Sequence, residues 1–204
     1  KPVKPSNGEA IKKIAWVQCV GSRNLTINAD YCSSACCMMA IKETMLTTEK
    51  LGSDVQKDIF YMDMRTYGRD FQRYKDSAER DHNTNFIRCR IHSIEPGANP
   101  DDLKISYMSE DGKQLSNEYD LIVLSTGQTN KPLITETLFE SVDLEGVFFI
   151  SSQEQLIDIS ETIIRSLATV SMVQNLTSVD KNFFPGDLAV ESNHLSYFRK
   201  RPKN

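Results

Sequence analysis

Short apolar runs alternate with segments of helical periodicity over the first part of the chain. The run KKIAWVQC at residues 12–19 predicts a buried strand, and DIFYMDM at 58–64 predicts a second one. Between them, apolar positions at helical spacing predict a helix from about Ser33, with Ser33 or Ser34 as its N-cap and Gly52 at its end.

The same alternation continues downstream. A polar segment at 67–82 predicts a solvent-facing helix, and the alternating NFIRCRIHSIE at 85–95 predicts one continuous third strand with Cys89 on its apolar face. An Asp-Gly pair at 111–112 predicts a hairpin turn, and DLIVLST at 120–126 predicts another buried strand. Strands that alternate with helices favour parallel pairing through right-handed crossovers, and therefore an α/β fold.

The last part of the chain carries fewer signals. GVFFIS at 146–151 predicts a buried strand, and a long helix is predicted from about Glu154 to Val173. Its apolar face is formed by Leu156, Ile159, Ile163, Leu167 and Val170. The tail from Thr177 has no clear period and ends in a basic run, which favours a solvated tail over a docking arm.

Composition narrows the class of protein. The chain has 204 residues, of which 39% are hydrophobic and 25% charged, and these values are typical of globular proteins. A net charge of −4 gives no reason to expect nucleic acid as a partner. No apolar run is long enough to span a bilayer, and no secretory signal is visible. We therefore expect a reducing, cytoplasmic setting.

Four of the five cysteines fall between residues 19 and 37. The predicted elements place this stretch in the loop between the first strand and the first helix. In a dinucleotide-binding unit that loop carries a G-x-G-x-x-G pattern, which lets the backbone approach the pyrophosphate. Here it has a single glycine, Gly21. A nicotinamide cofactor is therefore not expected at this loop.

The cysteines follow the spacing C-x12-C-x3-C-C, at Cys19, Cys32, Cys36 and Cys37. Structural zinc sites usually take their ligands from C-x2–4-C pairs around one ion, whereas adjacent cysteines point apart. A cubane iron–sulfur cluster offers a separate iron to each thiolate, and a helix N-terminus suits its negative charge. The spacing favours the cluster, but zinc, thiol redox chemistry and purely structural thiols remain open.

Three blocks of the sequence, KPSNGEAIKKIAWVQCVGSRN, YCSSACCMMAIKE and IFYMDMRTYGRDF, resemble the family of heterodisulfide reductase A-subunits. The resemblance implies a Rossmann-like three-layer domain of the thioredoxin reductase/pyridine nucleotide-disulfide oxidoreductase type, plus part of the FAD domain. It also implies an iron–sulfur flavoprotein oxidoreductase. The implied boundaries are a linker at 1–11, an NAD(P)-domain-like unit at 12–126, the C-terminal part of the FAD-binding domain at 127–174, and a tail at 175–204.

The resemblance also assigns roles to residues. Cys19, Cys32, Cys36 and Cys37 match the ligands of a [4Fe-4S] cluster that exchanges electrons with FAD. The strand and turn EYDLIVLSTGQ and the segment GVFFISSQEQLIDISETIIRSLA match flavin-contacting parts. The candidate flavin residues are Thr126, Gly127, Ser151, Ser152, Asp158 and Ile159. The family's N-terminal G-x-G-x-x-G half of the FAD domain is absent from this sequence, so we expect the chain to supply only part of a flavin pocket.

Partners follow from the same resemblance. Members of the family work with heterodisulfide reductase, hydrogenase or formate dehydrogenase subunits, and a homodimer is left open. The alternative is a degenerate scaffold or zinc-binding module without redox activity. Two side chains that flank the cysteines, Arg23 and Tyr31, are candidates for hydrogen bonds to cluster sulfurs or to a flavin oxygen, and an ordinary role in the loop stays open for both. Asp63 and Arg65, at the end of the second strand, are expected to form a structural ion pair or to contact a partner, in preference to recognising a ribose. Cys89 is expected to pack in the core.

Overall fold

The computed structural model describes residues 2–128 and 159–177. The described elements, in chain order, are β1 (Lys13–Val17), a short 3-10 helix (Leu25–Ile27), α1 (Cys36–Leu51), β2 (Gln56–Tyr61), α2 (Phe71–Arg80), β3 (Thr84–Arg88), β4 (Ile91–Pro96), β5 (Leu103–Met108), β6 (Gln114–Tyr119), β7 (Leu121–Leu124) and α3 (Ile159–Thr177). The strand predicted at 146–151 and the tail beyond residue 177 lie outside the described residues.

The central sheet has four parallel strands in the order β3-β2-β1-β7. Trp16 of β1 pairs with Ile59 of β2 on one side and with Val123 of β7 on the other. The predicted parallel α/β fold is therefore confirmed, and the strand order is that of a Rossmann-like sheet. The chain moves outward from β1 through β2 to β3 and then returns to place β7 on the opposite side of β1. The strand order thus reverses between β1 and β7.

A second sheet is antiparallel, in the order β4-β5-β6. Its strand β4 comes from the second half of the segment 85–95, which the sequence predicts as one continuous strand. That prediction is wrong, because β3 pairs with β2 in the parallel sheet and β4 pairs with β5 in the antiparallel one. The Cys89 amide still donates to the Tyr61 carbonyl at 2.8 Å, and the chain changes sheets immediately afterwards. The predicted packing of Cys89 against the core is confirmed.

Alternate residues of the parallel strands point into two cores, which gives the predicted three layers. The core between the parallel sheet and the helices contains Ile14, Trp16, Ala40, Ile41, Ile59 and Ala78. The core between the two sheets contains Ala15, Val17, Phe60, Ile105, Tyr107 and Tyr119. One buried carboxylate spans this second interface, since Asp58 of β2 accepts a hydrogen bond of 2.6 Å from the Tyr119 hydroxyl of β6.

The sequence predicts the C-terminal end of α1 correctly but not the capping of its N-terminus. Gly52 ends the helix as predicted, with φ +107 and its amide donating to the Thr48 carbonyl at 3.0 Å. The predicted capping role of Ser33 or Ser34 is wrong. Ala35 occupies the N-cap position, and no side chain caps the helix there. The Ser33 hydroxyl instead contacts the Cys36 sulfur.

The segment before β1 contains no helix or extended strand, but it is attached to the domain. The Lys4 ammonium forms ion pairs with Asp102 at 2.5 Å and with Asp120 at 2.8 Å. Ile11 is part of the core on the helical side. This stretch therefore contacts the folded unit, while the domain boundaries derived from the resemblance remain predictions.

The long helix predicted near the C-terminus is confirmed over its described part, α3. Its apolar side chains, however, face solvent, because Ile159, Ile163, Leu167 and Val170 are each more than half exposed. Within residues 2–128 and 159–177, no helix combines the length and the hydropathy that a membrane crossing requires.

Candidate functional site: a cysteine loop at the strand switch point

The four clustered cysteines lie at the carboxyl end of β1. Cys19 follows the strand by two residues, Cys32 ends the loop, and Cys36 and Cys37 open α1. In open α/β sheets, ligands bind outside the carboxyl ends of the strands, at the point where strand order reverses. The cysteine loop therefore occupies the position where this fold generally binds a ligand.

Hydrogen bonds close the loop onto itself. The Arg23 amide donates to the Tyr31 carbonyl at 3.0 Å, and Asn24 and Ala29 exchange backbone bonds of 2.7 and 3.0 Å. The stretch between Cys19 and Cys32 thus folds back like a short hairpin. Its two ends meet, since the sulfur of Cys19 is close enough to Cys32 and Cys36 to interact electrostatically with both.

Non-glycine residues with left-handed backbone conformations are concentrated here. Cys19, Arg23 and Ser34 have φ values of 59, 54 and 59°. Such conformations are uncommon outside glycine, and they occur often at functional sites. One of these three residues is a cysteine, and Ser34 lies two residues before the start of α1.

The turn after β7 packs directly on this loop. The Ser125 amide donates to the Val17 carbonyl at 2.9 Å, and the Gln18 side-chain amide donates to the Ser125 hydroxyl at the same distance. Gly127 approaches more closely still. A Cβ at that position would lie 2.4 Å from the Ser33 hydroxyl oxygen and 3.1 Å from the Cys36 sulfur. The turn at Gly127 therefore lies directly against Ser33 and Cys36 of the cysteine loop.

Each of the four sulfurs has its own hydrogen-bond partner. The Arg23 guanidinium bonds to Cys19, and the backbone amide of Arg65 bonds to Cys37. The Ser34 amide donates to the Cys32 sulfur at 3.4 Å, and the Ser33 hydroxyl lies 2.7 Å from the Cys36 sulfur. Sulfur atoms that accept hydrogen bonds are suited to carry negative charge. All four cysteines are free thiols.

Burial and these partners act on the pKa values in opposite directions. Burial raises the pKa of the Cys19 thiol, and the Arg23 guanidinium offsets part of that rise. Burial likewise raises the pKa of Cys37, and the Arg65 amide works against it. These two sulfurs therefore stay protonated at neutral pH unless a further positive charge, such as a metal centre, favours the thiolate.

An ion-pair network borders the loop on the β2 side. The predicted pair of Asp63 and Arg65 is present, with 3.3 Å between the carboxylate and the guanidinium nitrogen. Asp63 also pairs with Arg23, which the sequence alone does not indicate. Of the two candidate tuning side chains, Arg23 thus contacts a cysteine sulfur through its guanidinium, and the described contact of Tyr31 is its carbonyl bond to the Arg23 amide.

Comparison with known proteins identifies relatives of this chain. The second iron-sulfur A-subunit of the CoB–CoM heterodisulfide reductase of Methanopyrus kandleri is 37% identical over 154 residues, which are 72% of this chain and 23% of that protein. The A-subunit of the H(2):CoB-CoM heterodisulfide,ferredoxin reductase of Methanothermobacter marburgensis is 37% identical over 147 residues, or 71% of this chain and 22% of its own. This chain is a homologue of one segment of the heterodisulfide reductase A-subunits. It spans less than a quarter of the length of these relatives.

The comparisons with family models and with solved structures add little to this homology. No protein-family model matches the chain. The sulfide:quinone oxidoreductase of Aquifex aeolicus shares 13% identity and a TM-score of 0.36, over 58% of this chain and 26% of that structure. A TM-score of this size carries no weight, so the fold assignment rests on the strand order and register described above.

A metal centre makes specific demands on the placement of donor atoms. Within residues 2–128 and 159–177, no three His, Cys, Asp or Glu side chains are arranged to hold a single metal ion. A tetrahedral zinc site requires four ligand atoms about 2.0–2.3 Å from one point. In a cubane cluster each thiolate binds a different iron, so the sulfurs surround a group several ångströms wide. Cys19, Cys32, Cys36 and Cys37 supply the number and the type of donor atoms that this second arrangement uses.

The candidate flavin residues fall into three groups. Thr126 and Gly127 lie at the carboxyl end of β7, beside the cysteine loop. Ile159 begins α3 and is 82% exposed. The remaining candidates, Ser151, Ser152 and Asp158, lie outside the described residues. Flavin contact by any of these residues remains a prediction.

Sequence reasoning missed several members of the site. Ser33 and Ser34 contact cysteine sulfurs, and Gln18 and Ser125 connect β1 to β7. The only signal available in the sequence was position, because Ser33 and Ser34 lie inside the cysteine block and Gln18 precedes Cys19. The bond between Gln18 and Ser125 depends on the approach of β7, which is more than 100 residues away in the chain.

Proposed function

We propose that this chain is an electron-transfer segment of a heterodisulfide reductase A-like oxidoreductase, in which Cys19, Cys32, Cys36 and Cys37 hold a [4Fe-4S] cluster. The observation that carries the proposal is the set of four neighbouring sulfurs, each with its own hydrogen-bond partner, at the strand switch point. The iron-sulfur protein named among the relatives supports the same cofactor.

Local structure explains how adjacent cysteines serve such a group. Cys36 and Cys37 are the first two residues of α1, so their side chains leave the helix in different directions. Divergent sulfurs suit two corners of one cluster. The N-terminus of α1 carries partial positive charge and unpaired amides, which favour a group with net negative charge.

When bound, the cluster supplies a site that takes up and releases one electron at a time. The chain's own residues would fix its position and its electrostatic surroundings. Four thiolates would bind it, the Arg23 side chain and the amides of Ser34 and Arg65 would donate to ligand sulfurs, and the Ser33 hydroxyl lies against the Cys36 sulfur. Because a two-electron flavin hydroquinone can release electrons singly, we infer that reduced FAD is the neighbouring redox group.

We place that flavin against the turn formed by Thr126 and Gly127. Gly127 lies close to Ser33 and Cys36, and close approach favours electron transfer between flavin and cluster. Ser151, Ser152, Asp158 and Ile159 would complete this chain's share of the pocket. The rest of the pocket would come from parts of the protein that the relatives possess beyond the matched segment.

Electron-transfer partners are inferred from the names of relatives. Those names include ferredoxin and H(2) for the Methanothermobacter marburgensis protein and formate for that of Methanococcus maripaludis. We propose that this chain works with partner proteins of the same kinds. Its five free thiols fit a cytoplasmic, reducing setting.

Ligand replacement tests the proposal. Cys37→Ser is expected to lower the iron content of anaerobically purified protein, because a serine oxygen binds iron less well than a thiolate. Cys89→Ser is the matched control, since Cys89 is a half-buried thiol that packs against the core between the two sheets, away from the other four cysteines. Equal iron loss in both variants would refute the assignment.

A further inference from the structure

Arg23 connects a cysteine sulfur to a carboxylate. Its guanidinium bonds to the Cys19 sulfur and also forms an ion pair with Asp63, at the end of β2. A planar guanidinium presents several donors in a fixed fork, so it can satisfy both acceptors at once. Asp63 in turn accepts from Arg65, which limits its own movement.

The backbone also fixes Arg23. The residue has φ 54°, which few non-glycine residues adopt, and its amide donates to the Tyr31 carbonyl at 3.0 Å. Its side chain is only 23% exposed. A cation so placed is screened less by solvent than an exposed one, and its interaction with charge on the neighbouring sulfur is correspondingly stronger.

We propose that Arg23, held by Asp63, is a positioning residue that raises the reduction potential of the cluster through its bond to Cys19. This inference rests on the proposed function. Reduction adds one electron and therefore one negative charge to the thiolate-bound cluster. A fixed cation and an N–H donor at a ligand sulfur stabilise that reduced state more than the oxidised one.

Arg65 provides a matched control. Its guanidinium belongs to the same ion-pair network, but its contact with a ligand sulfur is made by the backbone amide, which a substitution retains. Arg65→Gln therefore removes one positive charge near the site without removing a side-chain bond to a cysteine. Arg23→Gln and Arg23→Met remove both the charge and the bond.

The experiment is an anaerobic redox titration of the full chain, with the cluster signal followed by electron paramagnetic resonance. In the two neutral Arg23 variants we expect the reduction equilibrium to become at least tenfold less favourable, which is about 59 mV for a one-electron couple. Arg65→Gln is expected to shift it less than half as far, and Arg23→Lys to recover part of the loss.

The outcomes separate this inference from the proposed function. A wild-type protein without iron overturns the proposed function, and this inference with it. A wild-type protein that holds the cluster, with unchanged potentials in the Arg23 variants, overturns the inference alone. Cluster loss from both neutral variants but not from Arg23→Lys supports the need for a cation at this position. Loss from all three variants overturns the potential-setting role.

Discussion

Ser33 occupies the space that a side chain at residue 127 would need. A Cβ built on Gly127 would lie 2.4 Å from the Ser33 hydroxyl oxygen and 2.7 Å from its Cβ. The same Ser33 hydroxyl contacts the sulfur of Cys36. One glycine therefore lets the turn after β7 close over the cysteine loop.

Gly127→Ala is expected to disturb the candidate cluster site. Gly127 has φ +74°, and so does Gly112 in the hairpin turn, where a Cβ would meet nothing within 4 Å. Both substitutions carry the left-handed penalty of about 1–2 kcal/mol. The clash with Ser33 belongs only to Gly127→Ala. We therefore expect a lower iron content and a lower melting temperature for Gly127→Ala than for Gly112→Ala, measured by iron analysis and thermal unfolding.

Gly112→Ala serves as the control because it isolates backbone strain from contact. If both alanine variants lose the same amounts of iron and stability, the close approach of Gly127 to Ser33 has no role in the site.

The order of strands and helices was predictable from the sequence, and so was the position of the cysteines between the first strand and α1. The order of elements follows from local periodicity, and the position of the cysteines follows from their place in the chain between the two elements. The division of 85–95 into β3 and β4 was not, because Ile87, Cys89 and Ile91 alternate as in one strand and contact the same core. Only the partners, β2 for one half and β5 for the other, reveal the change of sheet.

The side-chain contacts of the site were likewise not predictable from the sequence. The serines of the cysteine block looked like helix caps, since Ser is a common N-cap residue. In the fold, Ser33 lies between Gly127 and Cys36, and its hydroxyl bonds to the sulfur. The ion pair of Arg23 and Asp63 likewise joins a loop to the end of β2. Contacts between distant segments have no signature in the spacing of either segment.

The buried carboxylate between the two sheets gives a stability prediction. Asp58 accepts hydrogen bonds from Tyr119, Asn85 and Gln56. Tyr119→Phe removes one donor and leaves that carboxylate less well satisfied in a buried setting. We expect a loss of about 1–3 kcal/mol in the free energy of unfolding, measured by urea denaturation.

Tyr74→Phe is the control variant for this loss, because Tyr74 on α2 is half exposed and removing its hydroxyl leaves no buried acceptor without a donor. It is expected to change stability by less than about 0.5 kcal/mol. A similar effect in the two variants would show that the Tyr119 hydroxyl contributes nothing specific to the sheet interface.

The thiol of Cys89 gives a pH prediction. Burial raises its pKa to about 11. Since only the thiolate is alkylated rapidly, the modification rate at Cys89 should climb with pH until about pH 11 in the folded protein. The raised pKa also favours folding at pH values below the unfolded thiol's pKa. That contribution is lost as the pH rises through the folded value.

Peptide mapping after timed alkylation measures this rate, because Cys89 lies on the wall of an open groove with Met62 and Met108. The same peptide in urea provides the reference, where the thiol titrates near its ordinary value of about 8.5. A folded-state profile that levels off near the urea value would contradict the effect of burial.

The central claim, that the four clustered cysteines hold an iron–sulfur cluster, is tested most directly by metal and sulfide analysis of anaerobically purified wild-type protein, with its visible spectrum recorded on the same sample. The account predicts iron and acid-labile sulfide in equal amounts, the broad absorption of thiolate-to-iron charge transfer, and the loss of both when Cys19, Cys32, Cys36 and Cys37 are replaced together. A colourless protein that contains stoichiometric zinc and no sulfide would contradict it.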